Sequence, residues 1–97
     1  MGISIVIVSF HVRHVLPACL NSILRSAKSY PHKVEITVVD NNSMDQTLEL
    51  KKTFTSVNWI ELKENLGFGT ACNIGVKHST QPLLLFLNPD TIIEENT

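Results

Sequence analysis

Two carboxylates in this chain stand where apolar stretches end, and both are suited to ligand chemistry. Asp40 ends the stretch Val34–Asp40, and its carboxylate can accept an N–H from a nucleobase edge or a hydroxyl from a ribose. An Asx turn at the same residue is an equal alternative. Asp90 follows Leu83–Leu87 and offers a hard oxygen ligand for Mg²⁺ or Mn²⁺ held jointly with phosphates. Taken alone, Asp90 is better explained as a cap for the segment that begins at Thr91.

The glycines, and the motifs that the sequence lacks, reduce the number of possible enzyme classes. Gly67 and Gly69 allow the backbone to approach a ligand closely, although two glycines also suit a plain loop before a helix. The dinucleotide fingerprint GxGxxG is absent after the first apolar stretch, and no GK[ST] phosphate loop is present. His11 and His14 lack the partners of a zinc site. These absences disfavour Rossmann dehydrogenases, P-loop NTPases and zinc enzymes.

Composition indicates one small folded domain. The chain has 97 residues, 43% of them apolar and 18% charged, which excludes a disordered polymer. A net charge of −1 argues against nucleic acid or an anionic membrane as a partner. Residues 1–33 contain Arg13, Arg25, Lys28 and Lys33 but no acid, so we expect an anionic ligand to find a cation there.

The two cysteines, Cys19 and Cys72, form no CxxC motif and no disulfide framework, and they predict small buried side chains in a reducing cytoplasm. The inner face of the membrane is an alternative location. The apolar segment Ile3–Val8 is too short to cross a bilayer and lacks the basic region of a signal peptide.

Hydrophobic periodicity predicts alternating strands and helices. A helix should begin near 14–16, because Pro17 is tolerated only in a first turn. Ser43 with Gln46 matches a capping box and predicts a second helix, and residues 70–77 suit a third. The predicted strands are Ile3–Val8, Val34–Asp40, Val57–Leu62 and Leu83–Leu87. This order predicts an α/β fold: a Rossmann-like parallel sheet with right-handed crossovers and helices on both faces.

The carboxyl ends of the predicted strands collect the polar residues. Ligands of open parallel sheets bind beyond these ends, so one rim of the sheet should hold the site. The segments that follow the four strands are Ser9–His11, Asp40–Ser43, Asn65–Gly69 and Asn88–Asp90.

Together these segments resemble the N-terminal part of the family 2 glycosyltransferases, which have the GT-A fold. The similar stretches occur in the family's order and cover nearly the whole chain: ISIVIVSFHVRHVLPACLNSIL, VVDNNSMDQT, NLGFGTACNIGV and LLFLNPDTII. The LNPDT form is most similar to the rhamnosyltransferase-type subgroup, which builds polysaccharides from nucleotide-activated sugars.

The resemblance implies a role for each matching residue. Ser9 and Phe10 would line the nucleobase pocket, and Asp40 would accept the base N3–H, which favours uracil or thymine over cytosine. Asn88 would contact the ribose, and Asp90 would hold Mg²⁺ or Mn²⁺ bridging the donor diphosphate. Further nucleotide-sugar contacts are implied for Asn65, Gly67, Gly69 and Asn73.

The implied reaction is inverting transfer of a sugar from a UDP- or dTDP-sugar to the hydroxyl of a saccharide or lipid-linked acceptor. Asn88 stands where the family's DxD motif has its first aspartate, so this motif has one charge fewer. The family's catalytic base lies in a later segment, and Glu94 and Glu95 follow the motif too closely to match it. We therefore expect residues 1–97 to be the donor-binding part of a longer domain, truncated after the DxD-like motif, with the base beyond Thr97. The apolar surface left by truncation would favour self-association.

Two other functions remain open from the sequence. A nucleotidyltransferase would need a glycine- and arginine-rich loop after the first strand, which Ser9–His11 does not supply. A non-catalytic nucleotide-binding module, or a flavodoxin-like interaction domain, would use the same rim without transferring a group.

Overall fold

The computed structural model describes residues 1–43 and 47–93. In these residues four strands alternate with two α-helices and one 3₁₀ helix. The elements are β1 (Ile3–Ser9), α1 (Leu16–Ala27), β2 (Val34–Asp40), a 3₁₀ helix (Thr47–Lys52), β3 (Asn58–Glu61), α2 (Phe68–His78) and β4 (Leu83–Leu87).

All strand pairs are parallel, and the strand order is β3-β2-β1-β4. Ile3 of β1 pairs with Val34 of β2 on one side and Leu83 of β4 on the other, so three strands begin at one edge. The chain moves outward from β1 to β2 and β3, then returns across the sheet to β4. This reversal leaves a topological switch point between the carboxyl ends of β1 and β4, where open α/β sheets bind ligands.

One face of the sheet carries the main apolar core. Alternate residues of a strand face the same side, and Ile5, Ile7 and Val38 pack in one cluster with Leu16 and Leu20 of α1. Phe54 and Val57, which follow the 3₁₀ helix, complete this cluster beside α1. The predicted apolar stripe of α1 is confirmed, with Pro17 in its first turn.

Helix α2 packs on the opposite face against β1 and β2. The helix lies close to the sheet at Gly75, where a Cβ atom would lie 2.5 Å from Cγ1 of Val6 and 3.3 Å from Cγ2 of Val39. Only glycine fits this position without a shift of the helix or the sheet. The prediction of helices on both faces is therefore confirmed, and strand β4, at the sheet edge, keeps its apolar side chains exposed.

The second predicted helix differs from the sequence expectation, because the chain forms a six-residue 3₁₀ helix in its place. Gln46, half of the predicted capping box, lies outside the described residues. The Ser43 hydroxyl donates to Oδ1 of Asp40 and accepts from the His11 N–H. Through these bonds Ser43 contributes to the network at the end of β2.

Glu35 joins β2 to the connection between α2 and β4 at the amino edge of the sheet. Its Oε1 accepts hydrogen bonds from the Ser4 hydroxyl at 2.7 Å and the Thr80 N–H at 2.9 Å, and its Oε2 accepts from the Thr80 hydroxyl at 2.7 Å. Partial burial would raise the pKa of Glu35, but these hydrogen bonds and nearby Lys33 together lower it.

Among residues 1–43 and 47–93, no helix has the length and apolar character needed to cross a membrane.

We expect Gly75→Ala to lower the free energy of unfolding by about 1–3 kcal/mol, because the new methyl group overpacks the α2–sheet contact. Urea denaturation measures this loss. Gly69→Ala is the matched control, because Gly69 also lies in α2 but a Cβ there would meet nothing within 4 Å. Equal stabilities for the two variants would contradict the close packing of α2 at Gly75.

Acidification should weaken the fold through Glu35. Because its folded pKa is lowered, the folded chain binds this proton less tightly than the unfolded chain does. The stabilisation is present above the ordinary glutamate pKa of about 4.3 and is lost as the pH falls below it. Urea midpoints between pH 6 and 3 should fall less steeply in Glu35→Gln, whereas exposed Glu64→Gln should follow the unaltered chain.

Candidate functional site

A cleft of about 420 Å³ opens at the switch point between the ends of β1 and β4. Segments that follow all four strands contribute to it, so the predicted rim is assembled. The cleft is lined by Val8, Phe10, Val12, Asn41, Asn65, Gly67, Phe68, Asn88 and Pro89. Its volume falls within the range of small-molecule sites, and its mix of apolar side chains with three amides suits an organic ligand with polar edges.

Phe10 provides the aromatic surface of the cleft. Its side chain is 44% exposed, and its ring stacks on that of His11 with the centroids 4.0 Å apart and the planes 28° from parallel. The His11 ring therefore covers part of the Phe10 ring. A flat ligand group entering the cleft can pack on this ring.

Asp40 lies beneath the cleft and is 0% exposed. Its Oδ1 accepts hydrogen bonds from the hydroxyls of Ser9 at 2.8 Å and Ser43 at 2.6 Å, and its Oδ2 accepts from the Ser43 N–H at 2.9 Å. These donors compensate for the loss of hydration of a buried carboxylate. The network binds the end of β1 to the end of β2.

Two residues beside this network have left-handed backbone conformations. His11 has φ of 56° and Asn42 has φ of 65°. Positive φ is uncommon outside glycine, but asparagine and histidine are among the residues that adopt it most often. The His11 N–H donates to the Ser43 hydroxyl at 3.0 Å, so the same network that holds Asp40 also holds this turn.

Asp90 lies in a tight turn after β4, in which the Thr91 N–H donates to the Asn88 carbonyl at 3.0 Å. In the described ranges no hydrogen bond or ion pair engages the Asp90 carboxylate. Burial, and then the charge of Asp90, raise the pKa of the Cys19 thiol. Both described cysteines are free, and burial raises the pKa of Cys72 as well, so neither thiol is an activated nucleophile.

The cleft is electrostatically suited to a negative group, although not through basic side chains. None of the described lining residues is charged, and Arg13 forms an ion pair with Glu49 instead, so the expected cation from residues 1–33 is not in the cleft. Helix α2 begins beside the cleft after Gly67, with no side-chain cap and no acid in its first turn. Its free N–H groups give that end of the helix a partial positive charge.

The residues predicted for the site divide into three groups. Four line the cleft together: Phe10, Asn65, Gly67 and Asn88. Ser9 and Asp40 lie buried beneath it and bind each other, so neither reaches a ligand in this geometry. Three others are exposed but do not line the cleft: Gly69, Asn73 and Asp90.

Sequence reasoning missed Asn41 as an individual residue. Its side chain is buried yet lines the cleft, and it bonds to the loop that precedes α2. An amide directly after a strand-end aspartate, with an Asn-Leu-Gly loop after the next strand, was the available signal.

The described residues among His, Cys, Asp and Glu form no group of three that could hold a metal ion. Asp90 and Asn88 offer one carboxylate and one amide oxygen. Such a pair fits Mg²⁺ or Mn²⁺, which proteins commonly bind through one or two carboxylates with phosphates completing the shell.

A larger groove of about 700 Å³ lies along β3, but its one lining acid and its lysine already have partners. Glu35 accepts hydrogen bonds from Ser4 and Thr80, and Lys51 pairs with Glu61. The cleft at the switch point is therefore the better candidate site.

Removing the Ser43 hydroxyl should destabilise the site. We expect Ser43→Ala to lower the free energy of unfolding by about 1–3 kcal/mol, because a buried carboxylate loses a donor. Urea denaturation measures the change. Ser29→Ala is the control, since it also removes a hydroxyl hydrogen bond, but an exposed one at the end of α1. A Ser43→Ala curve that overlays that of the control would refute the structural importance of the network.

Comparison with known proteins agrees with this geometry. The family model for glycosyl transferase family 2 matches residues 4–97. A PGL/p-HBAD biosynthesis glycosyltransferase from Mycobacterium tuberculosis is 36% identical over 100 residues, covering 95% of this chain and 36% of the relative. The chain therefore spans about a third of that relative's length.

Solved structures show the same fold. The crystal structure of S. aureus TarS 1–349 in complex with UDP-GlcNAc has a TM-score of 0.87 and 25% identity, covering 99% of this chain and 28% of that one. The mannosyltransferase PcManGT from Pyrobaculum calidifontis, in complex with GDP-Man and Mn²⁺, has a TM-score of 0.85 and 21% identity, covering 93% and 28%. The family model covers residues 4–97, which include the cleft at the switch point and, apart from Ile3, all four strands. The chain therefore belongs to glycosyl transferase family 2.

Proposed function

We propose that this chain is the donor-binding part of a glycosyltransferase that transfers a sugar from a UDP- or dTDP-sugar to an acceptor hydroxyl, with inversion. The observation that carries the proposal is the cleft at the switch point, where an aromatic ring, three amides and the uncapped start of α2 meet. A nucleoside diphosphate has the matching parts: a flat base, polar edges and a negative diphosphate. The TarS structure with UDP-GlcNAc supports this donor class.

In the proposed arrangement the nucleobase packs on Phe10, and the amides of Asn65 and Asn88 contact polar groups of the base and ribose. The start of α2 faces the diphosphate, where its free N–H groups stabilise negative charge. The Asp40 carboxylate now accepts three hydrogen bonds from Ser9 and Ser43. It therefore reaches the base N3–H only after a local rearrangement that uncovers it.

We propose Mg²⁺ or Mn²⁺ as the cofactor, bound by Asp90 with Asn88 beside it. The Mn²⁺ complex of PcManGT supports a divalent ion in this fold. The ion supplies charge neutralisation for the departing diphosphate. With a single carboxylate in the motif, we expect the diphosphate itself to provide much of the binding shell.

The transfer step requires a group that takes the proton of the attacking hydroxyl as the bond between the anomeric carbon and the diphosphate oxygen breaks. None of the described cleft-lining residues is an acid or a histidine. We propose that the base comes from residues outside these 97, consistent with a relative about three times as long.

The finer assignments are also proposals. The LNPDT sequence at 87–91 favours the rhamnosyltransferase-type subgroup, with a saccharide or lipid-linked acceptor. The free, unactivated cysteines favour the cytoplasm, with the inner face of the membrane as the alternative. In the described part of the chain, β4 is an apolar edge strand, which favours self-association of an isolated copy through this edge.

Titration calorimetry with UDP, dTDP and CDP, each with and without Mn²⁺, tests the function. We expect UDP and dTDP to bind more tightly with Mn²⁺, and CDP to bind more weakly because a carboxylate offers cytosine N3 no proton. Asp90→Asn should remove the Mn²⁺-dependent gain and leave metal-free binding unchanged.

Glu61→Gln is the control, since it removes one exposed carboxylate on β3, at the other side of the sheet. If no nucleotide binds the unaltered chain under any of these conditions, the donor-binding function is wrong. Equal Mn²⁺ gains in Asp90→Asn and the control would reject Asp90 as the metal ligand while leaving nucleotide binding intact.

A further inference from the structure

We propose that Asn41 is a positioning residue that holds the loop Asn65–Gly67 in place as a wall of the cleft and thereby sets nucleotide affinity. The proposal rests on the proposed donor-binding function. Asn41 directly follows β2, and the loop belongs to the segment after β3. One side chain therefore connects two separate walls of the site.

The amide of Asn41 makes two hydrogen bonds across this gap, one as acceptor and one as donor. Its Oδ1 accepts from the Leu66 N–H at 2.9 Å, and its Nδ2 donates to the Gly67 carbonyl at 3.2 Å. The amide thus pairs with the loop as a neighbouring strand would. The side chain is only 3% exposed, so water does not readily replace either bond.

The anchor of Asn41 is itself rigid. Its backbone N–H donates to the Ser9 carbonyl at 2.8 Å, which ties it to the end of β1. Asp40, one residue earlier, is held by its own network. A fixed backbone with a short, buried side chain leaves the amide little freedom to turn away from the loop.

The bond to Gly67 also determines where α2 begins. Gly67 is the residue that precedes the helix, with φ of 85°, and its carbonyl accepts both from Asn41 and from the Ala71 N–H of the first turn. The Asn65 side chain supports the same point by accepting from the Gly67 N–H at 2.9 Å. Releasing Asn41 would therefore loosen the loop, the first turn of α2 and Phe68 of the cleft together.

This pairing requires a donor and an acceptor on one short side chain. An ionised aspartate keeps the acceptor for Leu66 but turns a second negative oxygen toward the Gly67 carbonyl. A protonated aspartate restores the donor and has nearly the shape of asparagine. The chemistry therefore gives Asn41→Asp a pH dependence that the unaltered chain lacks.

The experiment compares the unaltered chain with Asn41→Ala, Asn41→Asp and Asn42→Gly. Asn42 is the neighbouring exposed residue with positive φ, so glycine keeps its backbone conformation and provides the matched control. Amide hydrogen exchange at Leu66, relative to Val38 in the core, measures loop opening without ligand. Calorimetry with UDP and Mn²⁺ measures affinity.

In Asn41→Ala we expect Leu66 to exchange faster while Val38 is unchanged, and UDP to bind about tenfold more weakly. Asn41→Asp should show the same loss at pH 7, and its affinity relative to the unaltered chain should recover as the pH is lowered and the introduced carboxylate takes up a proton. The titration of UDP affects both chains equally, so it cancels in the ratio of their affinities. Asn42→Gly should match the unaltered chain in both measurements.

Three results would overturn the inference: Leu66 exchange that stays slow in Asn41→Ala, faster Leu66 exchange with unchanged UDP affinity, or loss of protection at Val38 to the same extent in both Asn41 variants, because the effect would then be global unfolding. Asn41→Asp has nearly the wild-type shape and serves if Asn41→Ala does not fold. Failure of the unaltered chain to bind UDP would reject the proposed function, whereas Leu66 exchange tests the loop contact independently.

Discussion

A buried carboxylate at the end of β2 constrains the whole rim of the sheet. A charge removed from water is tolerated only where donors surround it, and Asp40 receives them from Ser9 and Ser43. The bonds to Asp40 hold the ends of β1 and β2 together. The Ser43 hydroxyl, which donates to Asp40, also accepts a hydrogen bond from the His11 N–H. The turn after β1, with Phe10 on it, therefore has its position because of a group that the ligand cleft does not expose.

The cleft above that network results from how the chain crosses the sheet. Helix α1 and the 3₁₀ helix cover one face as the chain moves outward, and α2 covers the other as it returns. The return brings Asn88 beside the end of β1, where the cleft lies. Gly75 allows α2 to lie close to the strands, so the start of the helix reaches the rim. Packing on the faces and ligand binding at the rim are consequences of the same topology.

The regular elements were predictable because their signals are local. The β-branched stretch Val34–Asp40 and the apolar stretch Leu83–Leu87 became strands with the expected bounds, and Pro17 marked the start of α1. The second predicted helix, expected from a capping box at Ser43, is a 3₁₀ helix over Thr47–Lys52. The Ser43 hydroxyl accepts from the N–H of His11, 32 residues away in sequence, and a contact between such distant residues leaves no local pattern.

The site shows the same division between local and non-local information. The rim and four of its lining residues followed from strand ends, since parallel strands place their carboxyl ends together. The burial of each rim residue could not be predicted from the strand ends. Ser9 and Phe10 are adjacent in sequence, yet Ser9 is buried and Phe10 lines the cleft. Successive strand residues face opposite sides, so which of two neighbours meets a ligand depends on the turn that follows. Here that turn is determined by the donors that Asp40 requires, and the motif that carries the family resemblance supports the cleft as well as facing it.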